Sequence, residues 1–190
     1  MRYIDEVLAS GLYGRRPGGF VERFEREFAA YQGAKYGVAV VNATMGLFIS
    51  ALAVGIKPGD KVLVPAYTFI ASATSMILAG AVPIFVDVGD DLQIDPQGVA
   101  EALEGDKEGS IKAVEPVHMG GYPADLDAII SAARRHGAYV IEDAAQAHGS
   151  KYKGKGGRRC GGCGSLQFSV QQDNERGRGR HNCDQRRIHI

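Results

Sequence analysis

DLDAIISAARRHGAYVIEDAAQAHG, residues 125–149, carries a helix and a strand in a single run. Asp125 offers a side-chain acceptor to the free N–H groups of a first helical turn, and Leu126, Ile129, Ile130 and Ala133 recur at helical spacing after it. Gly137 stops the helix after His136, and Ala138 to Ile141 follows as a short apolar strand. Strands joined through helices are mostly parallel, and parallel sheets take ligands at their carboxyl edges. Glu142-Asp143 sits at that edge, before the small residues Ala144 and Ala145. A carboxylate there can pair with a cationic ring nitrogen, ligate a metal ion, or cap the following helix.

The same rhythm extends outward from this run. Phe20, Phe24 and Phe28 recur every four residues among charged ones, which predicts a helix with an aromatic face. Val38 to Val41 reads as a buried strand, and a helix is expected from about Thr44 to Val54, ending at Gly55. The turn Lys57-Pro58-Gly59-Asp60 leads to a strand at Val62–Val64, and further strands are expected at Val82–Val86, Ile111–Val117 and Tyr139–Ile141. There is no internal repeat. The expected class is α/β, a mixed, mostly parallel sheet between helices. Past Lys151 the pattern dissolves into Gly, Arg and Cys. Only Gly164 to Val170 still reads as a strand, so residues 1–172 are expected to form the domain and 173–190 a disordered Arg/Gly-rich tail.

With 190 residues, 45% hydrophobic and 23% charged, the chain is long enough for one cored domain. It has no apolar run long enough to span a bilayer, and Arg2, Asp5 and Glu6 open it where a signal peptide would carry basic residues and then an apolar core. A soluble, cytoplasmic protein without membrane contact is expected. The three cysteines, all after residue 159, do not make a disulfide framework and suit a reducing compartment. Residues 1–150 hold 12 Lys/Arg against 19 Asp/Glu, while residues 151–190 hold 10 against 3, giving an acidic body (−7) and a basic end (+7). Its Gly-Arg run from Arg176 to Arg180 suits a polyanion by composition, yet that run has no aromatic side chain to stack on a base, so nucleic acid is not the expected partner. Cys160, Cys163, His181 and Cys183 have the residue types of a zinc site, but their loose spacing and flanks lacking hairpin signals assign no metal.

Three further stretches lie between a strand and a helix. Asn42-Ala43-Thr44 would turn free backbone N–H groups and a helix dipole toward one point, a phosphate site in outline or simply an N-cap. Pro65-Ala66-Tyr67-Thr68-Phe69 brings two aromatic rings to the sheet edge, to stack on a planar ligand or to enter the core. His118, in Pro116-Val117-His118-Met119-Gly120-Gly121, is a ligand contact or a satisfied hydrogen-bonding histidine.

In this order these stretches, with Gly55-Ile56-Lys57-Pro58-Gly59-Asp60, Pro83-Ile84-Phe85-Val86-Asp87-Val88 and Ile141 to Gly149, resemble the DegT/DnrJ family of pyridoxal-phosphate-dependent sugar aminotransferases. The resemblance runs from Val7 to about Asp173. It implies part of the large domain of an aspartate-aminotransferase-type (fold type I) enzyme, with pyridoxal 5′-phosphate as cofactor. Ala43 and Thr44 match the residues that hold the cofactor phosphate, Phe69 the ring stacked on the pyridine, and Asp143 the catalytic carboxylate on the pyridine nitrogen. Gln146 matches a residue near the phenolic oxygen and Ser169 a hydroxyl that reaches the phosphate. The implied reaction transfers an amino group from glutamate or glutamine to a nucleotide-linked keto-sugar, in a homodimer. Tyr67, His118, Met119 and Tyr122 are candidates for the acceptor pocket without selecting a sugar.

The departure comes five residues after Ser169, where the family carries its cofactor-binding lysine and this chain has Asn174. An amide neither forms an imine nor shuttles a proton. A dehydratase branch of the family uses histidine there, so a sugar dehydratase is the alternative, and a non-enzymatic binder using the basic tail is a second. Asp173 to Arg180 can be encoded so that a shifted frame reads a Thr-Ser-Gly-Glu-Gly-Gly-like segment, which the family carries after its lysine. Since the family's chains are about twice this length, the expectation is an inactive fragment with an altered end.

Overall fold

The computed structural model describes residues 2–32, 34–147, 149–153, 159–160 and 188–189. Two helices open it, α1 (Arg2–Ser10) and α2 (Phe20–Gln32), followed by the two-residue strand β1 (Tyr36–Gly37). The predicted aromatic face is present on α2: Phe24 and Phe28 stack at 5.5 Å, and Tyr31 continues the row 6.4 Å further on.

Val38 to Val41 corrects the sequence expectation. It is neither strand nor buried, and Val41 is 83% exposed. A strand requires a neighbour for its N–H groups. Here the Ala39 N–H donates instead to the Glu25 side chain of α2 at 2.9 Å, and Glu25 is held in turn by Arg15 at 3.1 Å.

The core is a four-stranded sheet. Alternating along the chain are α3 (Ala43–Ala53), β2 (Lys61–Pro65), α4 (Ile70–Leu78), β3 (Val82–Val86), α5 (Pro96–Gly105), β4 (Ile111–Val114), α6 (Leu126–Arg135) and β5 (Tyr139–Val140). The spatial order is β3-β2-β4-β5, and every pairing is parallel. Beyond β4 and β5 the ladder adds one parallel bridge, Val117 with Asp143. Short strands Ser150–Lys151 and Arg159–Cys160 pair antiparallel, and Ile188–His189 runs parallel to β1.

Sequence periodicity explains the layering. In β2 the side chains alternate, with Val62 and Val64 on one face and Leu63 on the other, all three fully buried. Val62 and Val64 share a core with Leu47 and Ala51 of α3 and Met76 of α4, whereas Leu63 packs with Val99 and Leu103 of α5 and Ile129 of α6. Two helices therefore cover each face, which is why these strands are apolar throughout.

Caps set the helix ends. Asn42 and Asp125 accept from the N–H groups of Met45 (3.0 Å) and Ala128 (3.4 Å), and Asp95 accepts from Gln97 (3.0 Å). The turn into β2 has Pro58 followed by Gly59 at φ +90°, closed by the Asp60 N–H on the Lys57 carbonyl. The helices α1, α4 and α5 were not singled out from the sequence. No helix among the described residues is long and apolar enough to cross a membrane. The expected boundary at residue 172, the strand at Gly164–Val170 and the basic tail apart from Ile188–His189 lie outside the described residues.

Candidate active site

Parallel strands carry their successors to one edge, and three connections meet there. The chain leaves β2 through Ala66 to Phe69, leaves β4 through Glu115 to His118, and leaves β5 through Ile141 to Asp143. The extended ladder fixes the last two against each other, with the Asp143 N–H donating to the Pro116 carbonyl (2.9 Å) and the His118 N–H to the Asp143 carbonyl (3.0 Å).

Asp143 is 7% exposed. Its Oδ1 accepts the Ala145 N–H at 3.1 Å and its Oδ2 accepts the Ser72 hydroxyl at 3.2 Å. The bond to Ala145 closes a local turn, since no helix follows Asp143 among the described residues for it to cap, and the Ser72 bond adds a long-range partner. Burial pushes the Asp143 carboxyl above the ordinary aspartate range, while the Ala145 and Ser72 bonds oppose that shift. Each oxygen keeps a lone pair for a further donor.

Ser72 lies in the first turn of α4 and is fully buried, its N–H on the Phe69 carbonyl (3.1 Å) and its hydroxyl 2.8 Å from Thr68 Oγ1. Phe69 is the N-cap residue of α4, yet its side chain makes no cap bond and its ring is 67% exposed. The sequence had left this ring between core and shelf, and it is outside the core. Tyr67 beside it is also exposed.

Ala43 and Thr44 begin α3, where helix geometry leaves their N–H groups without intrahelical partners. The last turn of α3 feeds the start of β2, and Leu47 and Ala51 lie on the β2 core. The N-terminus of α3 accordingly points toward the carboxyl edge. Gln146 is exposed and accepts the Gly120 N–H at 2.8 Å through Oε1, which leaves its NH2 group to donate elsewhere. Ser169 and Asn174 lie outside the described residues, as do Cys163, His181 and Cys183.

His118 is fully buried. Its Nδ1 accepts the Ala124 N–H at 3.2 Å, so the ring proton is assigned to Nε2, 3.5 Å from Glu142 Oε2. It is the hydrogen-bonding histidine of the two sequence readings, and holds the loop after β4. Met119 opens the 3₁₀ turn Met119–Gly121 and Tyr122 follows it, exposed.

Sequence reasoning missed Thr68, Ser72 and Glu115. Glu115 is fully buried and neither carboxyl oxygen meets a donor at hydrogen-bonding geometry. Burial first, and then the nearby Asp143 carboxyl, pushes it well above the ordinary range. The spacing of Thr68 and Ser72 at i and i+4, and an acidic residue closing an apolar strand, were the available signals.

The site residues fit a flat anionic ring compound. An exposed aromatic face, a buried carboxyl with spare acceptor capacity, and a helix N-terminus converge at one sheet edge.

Comparison with known proteins agrees with that chemistry. The profile of the DegT/DnrJ/EryC1/StrS aminotransferase family matches residues 1–171. The GDP-perosamine synthase of Caulobacter vibrioides is 42% identical over 154 residues, covering 80% of this chain and 40% of that protein. The crystal structure of S. venezuelae DesV in complex with a ketimine intermediate superposes with a TM-score of 0.73 at 42% identity, covering 84% of this chain and 41% of DesV. GDP-4-keto-6-deoxymannose-3-dehydratase with a trapped PLP-glutamate geminal diamine gives a TM-score of 0.73 at 25% identity, over 81% of this chain and 40% of that one. The chain spans 37–40% of the length of the first curated relatives it matches.

Proposed function

The chain belongs to the DegT/DnrJ/EryC1/StrS aminotransferase family, and from that premise we propose that it carries the cofactor-binding face of a pyridoxal-phosphate-dependent sugar aminotransferase. The amino donor is glutamate or glutamine and the acceptor a keto-sugar. A GDP-perosamine synthase among the relatives supports a nucleotide-linked acceptor. When bound, pyridoxal phosphate supplies an electron-withdrawing ring beside the substrate carbon.

The chain's own residues hold that ring. Asp143 accepts the ring N–H and, as a carboxylate, favours the protonated nitrogen. Phe69 offers its exposed face to the ring. The Ala43 and Thr44 N–H groups, the Thr44 hydroxyl and the α3 dipole receive the phosphate, to which Ser169 contributes by its place in the sequence. Gln146, its Oε1 occupied by Gly120, directs its NH2 group to the phenolic oxygen. Asn174 provides no amine, so this chain holds the cofactor without a covalent bond. The homodimer belongs to the same proposal, since Ile70, Ile77, Leu78 and Phe85 are all mostly exposed and need a cover.

The observation that carries this reading is the Ser72–Asp143 bond, which fastens the buried carboxyl to the turn bearing the exposed Phe69 ring. Titration of the 190-residue chain with pyridoxal phosphate, followed by the ring's absorbance and fluorescence, tests it. Saturable binding weakened in both Phe69→Ala and Asp143→Asn is expected. A wild-type chain without saturable binding refutes it. The dehydratase alternative rests on a relative at 25% identity, against 42% for DesV, and Asn174 supplies no base for it either.

A further inference from the structure

Gln93 lies in the connection from β3 to α5 and is buried, although the cofactor contacts do not include it. The backbone bends to bring it inward. Its neighbour Leu92 is half exposed and holds φ +62°, a left-handed conformation that strains a leucine and survives only where surrounding contacts enforce it. The Leu92 N–H on the Gly89 carbonyl and the Gly89 N–H on the Gln93 carbonyl, both at 2.9 Å, close that turn.

The buried amide bonds only to backbone. Its Nε2 donates to the Asp91 carbonyl (3.1 Å) and the Met119 carbonyl (3.3 Å), and its Oε1 accepts the Met119 N–H (3.1 Å). A backbone N–H can only donate, so the Met119 N–H fixes which end of the amide is oxygen. The Met119 carbonyl belongs to the same peptide group as the Gly120 N–H, and a trans peptide is a rigid plane with those two groups on opposite sides. That Gly120 N–H donates to Gln146 Oε1 at 2.8 Å. Three amides therefore align with one polarity, from the Gln93 NH2 through the Met119–Gly120 peptide to Gln146, whose own NH2 group is the last donor of the series. The turn is held close on its other side. Ser150 Oγ donates to the Gly121 carbonyl at 2.7 Å, and a Cβ on Gly121 would lie 3.1 Å from the Gln146 carbonyl oxygen.

We propose that Gln93 is a positioning residue: by holding the Met119–Gly120 peptide it fixes the Gln146 amide with its oxygen on the turn and its NH2 group toward the ligand. That this NH2 group meets the phenolic oxygen of pyridoxal phosphate rests on the function proposed above, whereas the Gln93–Met119–Gly120–Gln146 series belongs to the cofactor-free chain.

Amide hydrogen exchange of the cofactor-free 190-residue chain, read by 15N NMR, tests the series. The Gly120 N–H should exchange at least about tenfold slower than a free amide, and exchange at the free rate overturns the proposal. Gln93→Met keeps the side chain's length and removes its amide. It should speed Gly120 exchange about tenfold and leave the His118 and Asp143 N–H groups of the ladder protected. An unchanged Gly120 rate in the folded variant overturns the proposal as well. Should Gln93→Met fail to fold, Gln93→Glu decides on the same readout, since a carboxylate accepts the Met119 N–H but gives the Met119 carbonyl no proton. Titration with pyridoxal phosphate and with its 3-deoxy analogue, which lacks the phenolic oxygen, separates orientation from packing. The parent chain should favour pyridoxal phosphate about five- to tenfold, and Gln93→Met should lose that preference while binding the analogue as before. Equal weakening of both ligands assigns Gln93 to packing, and a parent chain that binds the two equally overturns the orientation given to Gln146. A parent chain that binds neither, with Gly120 protection that depends on Gln93, defeats the cofactor reading and leaves the amide series standing.

Discussion

The Ser72 hydroxyl donates to Asp143 Oδ2 at 3.2 Å, joining the first turn of α4 to the tip of β5 across 71 residues of sequence. The sheet order places β4 between β2 and β5, so the bond bridges two connections that the backbone ladder does not join directly. A side-chain bond in a buried position does what a strand pairing cannot, and it orients the carboxyl as well as holding it.

Asp143→Asn keeps the shape, retains an acceptor for the Ala145 N–H and offers Ser72 an amide in place of a carboxylate. Its fold should survive. Losing a charge-assisted bond to a ring nitrogen costs about 2 kcal/mol or more, so pyridoxal phosphate affinity should fall by a factor of about 30 or more. Fluorescence titration beside thermal melting checks this, and an unchanged dissociation constant would remove Asp143 from the cofactor site.

Phe69→Ala separates binding from folding. The ring is 67% exposed and caps α4 with its backbone alone, so its removal should change stability by less than about 0.5 kcal/mol. Loss of an aromatic face against a planar ligand should cost about 0.5–1.5 kcal/mol of binding, roughly three- to tenfold in affinity. A lowered melting temperature with unchanged affinity would assign the ring to packing.

Much of this fold is legible because its signals are local. Asn42, Asp125, Gly59 and Gly137 act within a few residues, and the apolar runs at Val62–Val64 and Val82–Val86 fall within the strands β2 and β3. Val38–Val41 was misjudged because an apolar run becomes a strand only where a neighbour accepts it, and Glu25 took that role through a side chain. The site was half visible. Asp143 and Phe69 stand at strand ends, whereas Ser72 is an ordinary helix serine until the sheet brings Asp143 to it. Glu115 lies inside a run that reads as strand to Val117 from its apolar neighbours, and a charge buried among them is the sharper clue.

Stability should have opposing limbs against pH. Asp106 accepts from the Ile111 N–H (2.6 Å) and the Ser110 hydroxyl (2.7 Å), and the Ile111 bond foremost holds its carboxyl below the ordinary range. Its contribution is complete above the ordinary Asp value of about 3.9 and is lost as pH falls through the lower native one. Asp143 and Glu115 act in the other direction. Their raised native values mean that the folded chain keeps protons the unfolded chain has released, so stability falls as pH climbs from about 4 through the native values. Urea midpoints measured from pH 4 to 8 should decline on that side, and Glu115→Gln should flatten the decline. A wild-type midpoint that rises throughout this window contradicts the buried pair.

The approach of α2 to β1 gives a sharp steric test. A Cβ at Gly37 would lie 2.7 Å from the Glu25 carbonyl oxygen and 3.3 Å from the Ala29 Cβ. The first of these is helix backbone, which yields only if α2 moves. Because the Glu25 side chain also holds the Ala39 N–H and Arg15, a displaced α2 loosens the segment leading to Asn42 and the head of α3. Gly37→Ala should therefore destabilise by about 1–3 kcal/mol, the range of an overpacked contact. Gly105→Ala is the matched control, since its Cβ meets nothing within 4 Å and it closes α5, where alanine favours the helix by up to about 1 kcal/mol. Thermal melts should shift in opposite directions for the two variants, and a Gly37→Ala chain as stable as the parent would mean that α2 does not sit against β1 in this way.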